Sequence, residues 1–384
     1  MKRMPKVLLL IESSRESGRK LISGIADYEG CFGPWEFNWI LRGISGLKNK
    51  LEKMDFDGML VRDIALTDLK LPAGIPIVTF SYGGKDVASE VVNVDVNHVA
   101  IAQEVSRHFL GRGFKHFAFC GQQDLAWAVE RGSRFTECIN TAGFTVKSFW
   151  TETGGTEGIQ AQDSDALERW LLGLPKPVAL MAANDSVGFW VIQSCKLAGI
   201  RVPEDCAVIG VDNDPVVCGL CTPKLSSVAV DQRQAGYEAA RTLDAMMRGL
   251  PPESRDIRAS VQGLVLRRSS DAYAVEDPSI EKALAFLYLN RKRSVSIAEV
   301  AAASGRNRRQ LERVFKEELG QTIQQRHREI RADYVANLLR DTELTLEEIA
   351  EVCNFSQASQ VTRLFVRVKG KTPSAYRKHA RGRS

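Results

Sequence analysis

Between residues 6 and 270, short apolar runs alternate with longer amphipathic stretches, and from Ser279 onward that alternation stops. The runs fall at 7–11, 58–61, 75–80, 91–94, 116–120, 179–182, 207–211 and 227–230, with a final one at 263–267. Nearly continuous apolar runs of this length suit strands buried on both faces, as in a parallel sheet covered by helices. The intervening stretches at 17–28, 99–112, 131–142, 164–172, 186–199 and 232–248 carry helical period, and Gly143 and Gly199 stand where C-terminal caps belong. Some 265 residues exceed what one hydrophobic core usually holds, so two lobes are expected. Ligands of open parallel sheets bind beyond the carboxyl ends of the strands. The polar tips there are Glu12-Ser13-Ser14-Arg15, Arg62-Asp63, Asn184-Asp185 and Asp212-Asn213-Asp214.

Pro251-Pro252 and Asp277-Pro278 bracket a junction, after which Ser279 is expected to cap the first of a series of helices. The expected fold is thus a two-lobed α/β domain over 1–270, a linker over 271–278 and an all-α domain over 279–384. The chain's net charge of +5 says little until it is divided by position. Residues 279–384 hold 21 Lys/Arg against 12 Asp/Glu, a net of +9, and the remaining 278 residues hold 31 against 35, a net of −4. A basic C-terminal unit on a slightly acidic body points to a polyanion partner for that unit.

Two stretches of the helical domain share one layout. Residues 296–317 begin with Ser296-Ile297-Ala298-Glu299, pass through Ser304-Gly305 and continue as Arg306-Asn307-Arg308-Arg309-Gln310-Leu311 to Phe315. Residues 345–367 begin with Thr345-Leu346-Glu347-Glu348, pass through Cys353-Asn354-Phe355 and continue as Ser356-Gln357-Ala358-Ser359-Gln360-Val361 to Phe365. Each reads as a capped helix, a short turn, and a second helix that starts polar and becomes apolar at i+3/i+4 spacing. That is a helix-turn-helix, whose second helix enters the major groove with its first residues at base edges. Any pair of packed amphipathic helices gives the pattern once; two copies about 50 residues apart in a basic domain favour nucleic acid. A long helix over 321–340 is expected to join them, burying Ile323, Ile330, Val335, Leu338 and Leu339.

Over about 100 residues this domain resembles the AraC/XylS transcription regulators. The likeness lies in Phe315-Lys316-Glu317-Glu318-Leu319-Gly320, the joining helix, and Phe355-Ser356 through Phe365 to Gly370-Lys371-Thr372-Pro373-Ser374-Ala375-Tyr376-Arg377. The chain departs from that family at Asn354, where Gly is usual, at Gln360-Val361, where an aromatic pair is usual, and at Val366, where Lys is usual. The second recognition helix is therefore expected to read DNA differently or mainly to hold phosphates. Arg306, Arg308 and Arg309 open the first recognition helix, where a guanidinium can pair with guanine O6 and N7; one or two are expected on bases and the rest on phosphate. Gln357, Ser359 and Gln360 are the equivalent candidates of the second, while Arg313, Arg363 and Arg367 lie further along and are expected at phosphates or in ion pairs.

The N-terminal body resembles the sugar-binding core of LacI-type repressors and periplasmic binding proteins. The residues are Val94-Asp95, Arg112-Gly113-Phe114 through Cys120-Gly121, Met181-Ala182-Ala183-Asn184-Asp185, Val202-Pro203-Glu204-Asp205 through Asp212-Asn213, and Pro223 through Val228. The pairing of such a sensor with an AraC-type reader is similar to the xylose-responsive members of that family, and Trp127-Ala128 with Glu130-Arg131 adds to this likeness. The resemblance implies a small sugar effector, D-xylose foremost, with Arg131, Asn184 or Asp185, and Asp212 on its hydroxyls. Buried carboxylates, amides and a guanidinium satisfy hydroxyls in pairs, and an aromatic ring packs the sugar face. Trp127 is the candidate aromatic, Trp35, Trp39 and Trp190 are assigned to the core, and Arg62 and Ser14 are added as loop tips. A structural ion pair or cap is the competing role for each of these residues.

No cofactor or metal site is expected. Cys218-Gly219-Leu220-Cys221 has no second Cys pair or nearby His to complete a tetrahedral set, Gly111 and Gly113 lack a third glycine, and no P-loop or nucleophile elbow occurs. No apolar run approaches the ~20 residues that span a bilayer, the start is too short for a signal peptide, and eight scattered cysteines suit a reducing, cytoplasmic setting. The reading is a sugar-controlled regulator acting on promoter DNA, as a homodimer, with RNA polymerase as a further partner if it activates. Its rival is a sugar-binding or sugar-processing protein with a non-specific basic tail.

Overall fold

The computed structural model describes residues 3–40, 54–62, 74–80, 91–151, 161–275 and 277–380. The N-terminal lobe opens with β1 (Lys6–Leu10), α1 (Glu16–Phe32), β2 (Glu36–Trp39), β3 (Gly58–Arg62), β4 (Ile77–Phe80) and β5 (Val91–Val96). The chain then crosses to a second lobe built from α2 (His98–Leu110), β6 (His116–Gln122), α3 (Ala126–Thr141), β7 (Val146–Thr151), α4 (Ala161–Gly173), β8 (Val178–Ala182), α5 (Asp185–Leu197), β9 (Cys206–Val211), α6 (Pro215–Leu220) and β10 (Ser226–Val230). It returns to the first lobe for α7 (Gln232–Met247) and β11 (Asp256–Ala259), and crosses a third time into β12 (Val261–Val265).

The two six-stranded sheets have orders β11-β5-β4-β3-β1-β2 and β12-β10-β9-β8-β6-β7. All pairs are parallel except β10 with β12. The central strands β8, β9 and β10 are buried at every residue, as their unbroken apolar runs require. The strands that sequence reasoning missed, β2, β7 and β11, are all edge strands with polar residues interleaved. In the first lobe α1 packs on α7 with backbones almost touching. A Cβ added at Gly24 would sit 1.8 Å from the Arg233 carbonyl oxygen, and one at Gly236 2.1 Å from that of Leu21.

The helical domain comprises α8 (Pro278–Leu289), α9 (Ile297–Ser304), α10 (Arg308–Leu319), α11 (Ile323–Asp341), α12 (Leu346–Val352), α13 (Ala358–Lys369) and α14 (Pro373–Ala380). One core gathers Ile280, Leu287, Val300, Leu311, Phe315 and the N-terminal half of α11; a second gathers Ile349, Ala350, Val361, Phe365 and its C-terminal half. Capping boxes at Ser296/Glu299, Thr322/Gln325 and Thr345/Glu348 start α9, α11 and α12. The closing motif is mechanical: Gly370 ends α13 at φ 67°, the Thr372 hydroxyl accepts from the Ala375 amide at 3.2 Å, Pro373 opens α14, and Tyr376 packs edge-on to Phe365 at 5.2 Å.

One expectation at the junction is corrected. Asp277, not Ser279, caps α8: its carboxylate accepts from the Ser279 amide at 2.8 Å and Pro278 takes the first helical position. The segment expected as a linker is packed between domains. The Asp271 carboxylate accepts from Arg112 Nη1 of the second lobe at 3.1 Å and from Arg326 Nη2 of α11. Burial alone would raise the Asp271 pKa, but Arg326, Arg112 and Arg268 more than reverse this and hold it well below the usual carboxylate range.

Candidate effector cleft and nucleic-acid interface

The parallel strands of both lobes point their carboxyl ends toward the space between the sheets. The β1 loop, the end of β3, the start of α3, and the loops after β8 and β9 deliver most of the sequence-derived site residues there.

Asp212 follows β9 with φ 102°, and Asn213 with φ 52°, both in the region that disfavours side chains other than Asn, Asp or Gly. The Asp212 carboxylate accepts no hydrogen bond among the described residues. Burial raises its pKa, opposed in order by the charges of Arg131 from its own lobe and of Arg62, Arg15 and Lys20 from the other. A partly exposed carboxylate among cations of two lobes, with its oxygens unused, is poised to accept from hydroxyl groups.

Arg131 is 2% exposed, and its guanidinium lies over the Trp127 ring, 5.0 Å from the centroid. Its Nε donates to His98 Nδ1 at 3.3 Å and its Nη1 to the Ala183 carbonyl. Trp127 belongs to the core and acts as the floor under Arg131. Arg62 Nη2 donates to Ser17 Oγ at 3.0 Å, which turns Arg62 toward α1; its neighbour Asp63 lies outside the described residues. Ser14 is exposed, and its amide donates to the Glu12 carboxylate.

Asn184 and Asp185 are built into the scaffold. Asn184 caps α5, its Oδ1 accepting from the Val187 amide at 2.9 Å. Asp185 is 2% exposed, and its Oδ2 accepts from the Asp214 amide at 2.7 Å. A Cβ at Gly210 would stand 2.3 Å from Asp185 Oδ1, so only glycine fits beside it. Burial first, and then the charge of Asp212, push the Asp185 pKa up to about 7.

Sequence reasoning left several cleft residues unassigned. Asp214 caps α6 through Oδ1 and reaches the other lobe through Oδ2, which lies 3.4 Å from the Glu16 amide and 4.0 Å from Arg19. Gln122, at the cleft end of β6, is 1% exposed with its Oε1 unbonded among the described residues. Of the tryptophans assigned to the core, Trp35 is buried, while Trp39 and Trp190 are 43% and 38% exposed. Trp39 ends β2, and its Nε1 donates to the Ile11 carbonyl at 3.1 Å, placing the ring at the rim. Of these, only Asp214 stood at a loop tip that the sequence marked; the approach of one lobe's loops to the other's was not legible.

Asp95, His98 and Glu130 bring ligand atoms within 4.8 Å of one another beside the first crossing. The Arg131 guanidinium against His98 supplies the positive charge that a cation would have to displace. Cys218 and Cys221 are buried free thiols; burial pushes both pKa values up, that of Cys221 to about 12, so neither is a nucleophile at neutral pH.

In the helical domain the turn of the first unit ends at Asn307, which caps α10, so Arg306 lies before the recognition helix. Its guanidinium pairs with Asp277 at 2.6 Å, holding α8 instead of projecting from the helix. Arg308 lies 3.4 Å from Glu312 and Arg313 2.9 Å from Glu317, while Arg309 is exposed with no partner among the described residues. In α13, Ser359 Oγ donates to Gln357 Oε1 at 3.3 Å, Gln360 is exposed, and Arg363 and Arg367 form no ion pair among the described residues. Asn354 takes φ 53°, doing the work of the family's glycine.

Family profiles match the chain twice: a periplasmic binding protein-like domain over residues 106–270 and a helix-turn-helix domain over 293–379. The chain is similar along almost its whole length to the xylose operon regulatory proteins of Haemophilus influenzae and Escherichia coli K12. Identity to the former is 24%, covering 97% of this chain and 98% of that protein; to the latter it is 26%, covering 97% and 96%. A solved structure of the xylose-binding transcription activator XylR covers 98% of both chains at 25% identity with a TM-score of 0.69. Among the described residues, no helix is long and apolar enough to cross a membrane. The chain carries a periplasmic binding protein-like domain ahead of a helix-turn-helix domain, the build of a sugar-responsive DNA-binding transcription regulator.

Proposed function

We propose that a small sugar, D-xylose foremost, binds between the two lobes of residues 1–270 and controls how the domain of residues 279–384 engages promoter DNA. The observation that carries this reading is Asp212: a carboxylate held at φ 102° between the lobes, facing four cations and accepting no hydrogen bond among the described residues. Arg131 and Asp212 take the sugar hydroxyls, Gln122 adds an amide oxygen, and Trp39 covers an apolar ring face. Ligand that touches both lobes favours their closed arrangement and acts only through its differential affinity for the two. The relatives' xylose operon association supports this choice of sugar. Arg308 and Arg309 are assigned to base edges, with Gln357, Ser359 and Gln360 in the second groove. Arg363 and Arg367 are assigned to phosphates. The chain works in the cytoplasm as a homodimer on tandem half-sites, activates through RNA polymerase, and performs no catalysis.

A thermal-shift panel tests the sensor. D-xylose at ~100 times its Kd adds about 2.7 kcal/mol of stability, and Asp212→Asn abolishes the shift. If no pentose or hexose raises the Tm, the sensor assignment fails. Binding to a promoter fragment against random duplex over a salt series tests the reader: equal affinities throughout favour a non-specific tail.

A further inference from the structure

We propose that residues 267–271 form a coupler between cleft and reader, in which Arg267 is a positioning residue for the effector-binding Asp212 and Asp271 is the anchor of the helical domain. This rests on the effector reading above and adds the path by which it reaches DNA.

At one end, Arg267 is 8% exposed and clamps the strained loop. Its Nη2 donates to Asn213 Oδ1 at 2.8 Å and its Nη1 to the Leu225 carbonyl at 2.9 Å, while the Asn213 amide donates to Ser227 Oγ at 2.9 Å. Two consecutive residues at positive φ persist only where surrounding groups over-determine them, and Arg267 is the charged group that does so. In the middle, serines staple the segment to the second lobe. Ser269 Oγ donates to the Val208 carbonyl at 2.6 Å and accepts from the Ser226 amide at 2.8 Å, and Ser270 Oγ donates to Ser226 Oγ at 2.8 Å.

At the other end the segment grips the reader. Arg268 pairs with Glu204 and stacks on Tyr288 of α8, 4.5 Å from the ring centroid. Asp271 binds Arg112 and Arg326, whose guanidinium carbons lie 4.8 and 4.9 Å from the centroid of the Tyr273 ring. Arg112, Arg326 and Arg267 are all buried, so none of these pairs exchanges freely with water. A change in the Asp212–Asn213 loop therefore reaches Asp271 through four residues of stapled backbone.

The test uses the full chain, D-xylose and a promoter duplex. Arg267→Gln is expected to weaken D-xylose binding roughly tenfold and leave sugar-free DNA affinity within about twofold. Asp271→Asn is expected to keep D-xylose affinity within about threefold, yet bring the ratio of DNA affinities with and without sugar close to one. Arg326→Lys keeps the charge, loses the planar guanidinium that binds Asp271 and stacks on Tyr273, and should uncouple in the same way, which covers the case of an Asp271→Asn chain that does not fold. Hydrogen exchange without sugar gives a second readout: Arg267→Gln should speed exchange at the Asp212 and Asn213 amides. Wild-type D-xylose affinity and unchanged exchange in Arg267→Gln, or a full sugar response in Arg326→Lys, overturns the coupler. A wild-type chain that binds no sugar overturns the effector reading, while exchange still decides whether Arg267 holds the loop.

Discussion

The two helix-turn-helix units share a capping box on the first helix, a left-handed residue in the turn and a pair of buried apolar residues on the second helix, and differ in how they use charge. In the first unit three of the four arginines are engaged within the protein: Arg308 faces Glu312 and Arg313 faces Glu317 in α10, and Arg306, ahead of that helix, is bound by Asp277 at the junction. At the α13 positions matching Arg313 and Glu317 stand Arg363 and Arg367, like charges one turn apart with no partner among the described residues. Like charges at i,i+4 cost a helix a few tenths of a kcal/mol, a cost an anion can reverse. The first unit is thus mounted on the sensor and pairs these arginines within the protein, with Arg309 left exposed and, like Arg308, proposed for base edges. The second is remote from the junction and presents a bare basic edge, suited to phosphates.

The largest effects come from the two cores. Phe315→Ala and Phe365→Ala, each fully buried, should cost about 3–5 kcal/mol apiece in denaturant unfolding. Phe315→Ala should also remove the sugar dependence of DNA binding, because its core includes α8 and the start of α11; Phe365→Ala should leave the sensor's thermal response intact. Equal loss of sugar response in both would break the distinction.

Next come the arginines. Arg309→Ala is expected to cost ~1–3 kcal/mol at particular base pairs. Arg363→Ala and Arg367→Ala should weaken binding evenly across sequences and lower the salt slope by about one each. Glu317→Gln frees Arg313 and should steepen the slope, and a flat result would show that Arg313 is not within reach of a phosphate.

Smaller still are the turns. Gly305→Ala forces a Cβ into φ 76° and should destabilise by about 1 kcal/mol, whereas Asn354→Gly at φ 53° should stabilise by a few tenths. The smallest effect is acid sensitivity. The Ser296 amide, Arg293 and the Ser296 hydroxyl hold the Glu299 pKa at about 2, and the Thr345 amide and hydroxyl lower that of Glu348. A lowered carboxylate stabilises above its ordinary pKa of ~4.3, and that contribution is lost as pH falls through the folded value. Amide exchange at Thr345 should therefore rise at a higher pH than at Ser296, which Arg293 protects further.

What could be read from the sequence follows from what each residue's pattern depends on. Strands with apolar neighbours on both faces announced themselves, while β2, β7 and β11 did not, because an edge strand keeps polar residues that blur the run. The helix-turn-helix units were legible because caps and i+3/i+4 spacing are local. The turn of the second spans 353–357 against 305–307 in the first, and its N-cap is Gln357, which makes no side-chain cap bond, where the first has Asn307. In the cleft, the residue types at the loop tips were readable, but their division of labour was not. Asn184 and Asp185 hold loops together, whereas Asp212 faces Arg15, Lys20 and Arg62 from more than a hundred residues away. Asp271 looked like linker because nothing nearby in sequence reveals two arginines folding onto it from different domains.

The three crossings between lobes, at 96–98, 230–232 and 259–261, carry one more consequence. After the last of them the chain stays with the second lobe and passes directly into the reader, so seen from the DNA that lobe is the fixed frame. On the proposed lobe closure, the N-terminal lobe is then the arm that moves. Two chains joined through their N-terminal lobes would have their readers re-spaced whenever the arms move, whereas two joined through the second lobes would keep one spacing with or without sugar.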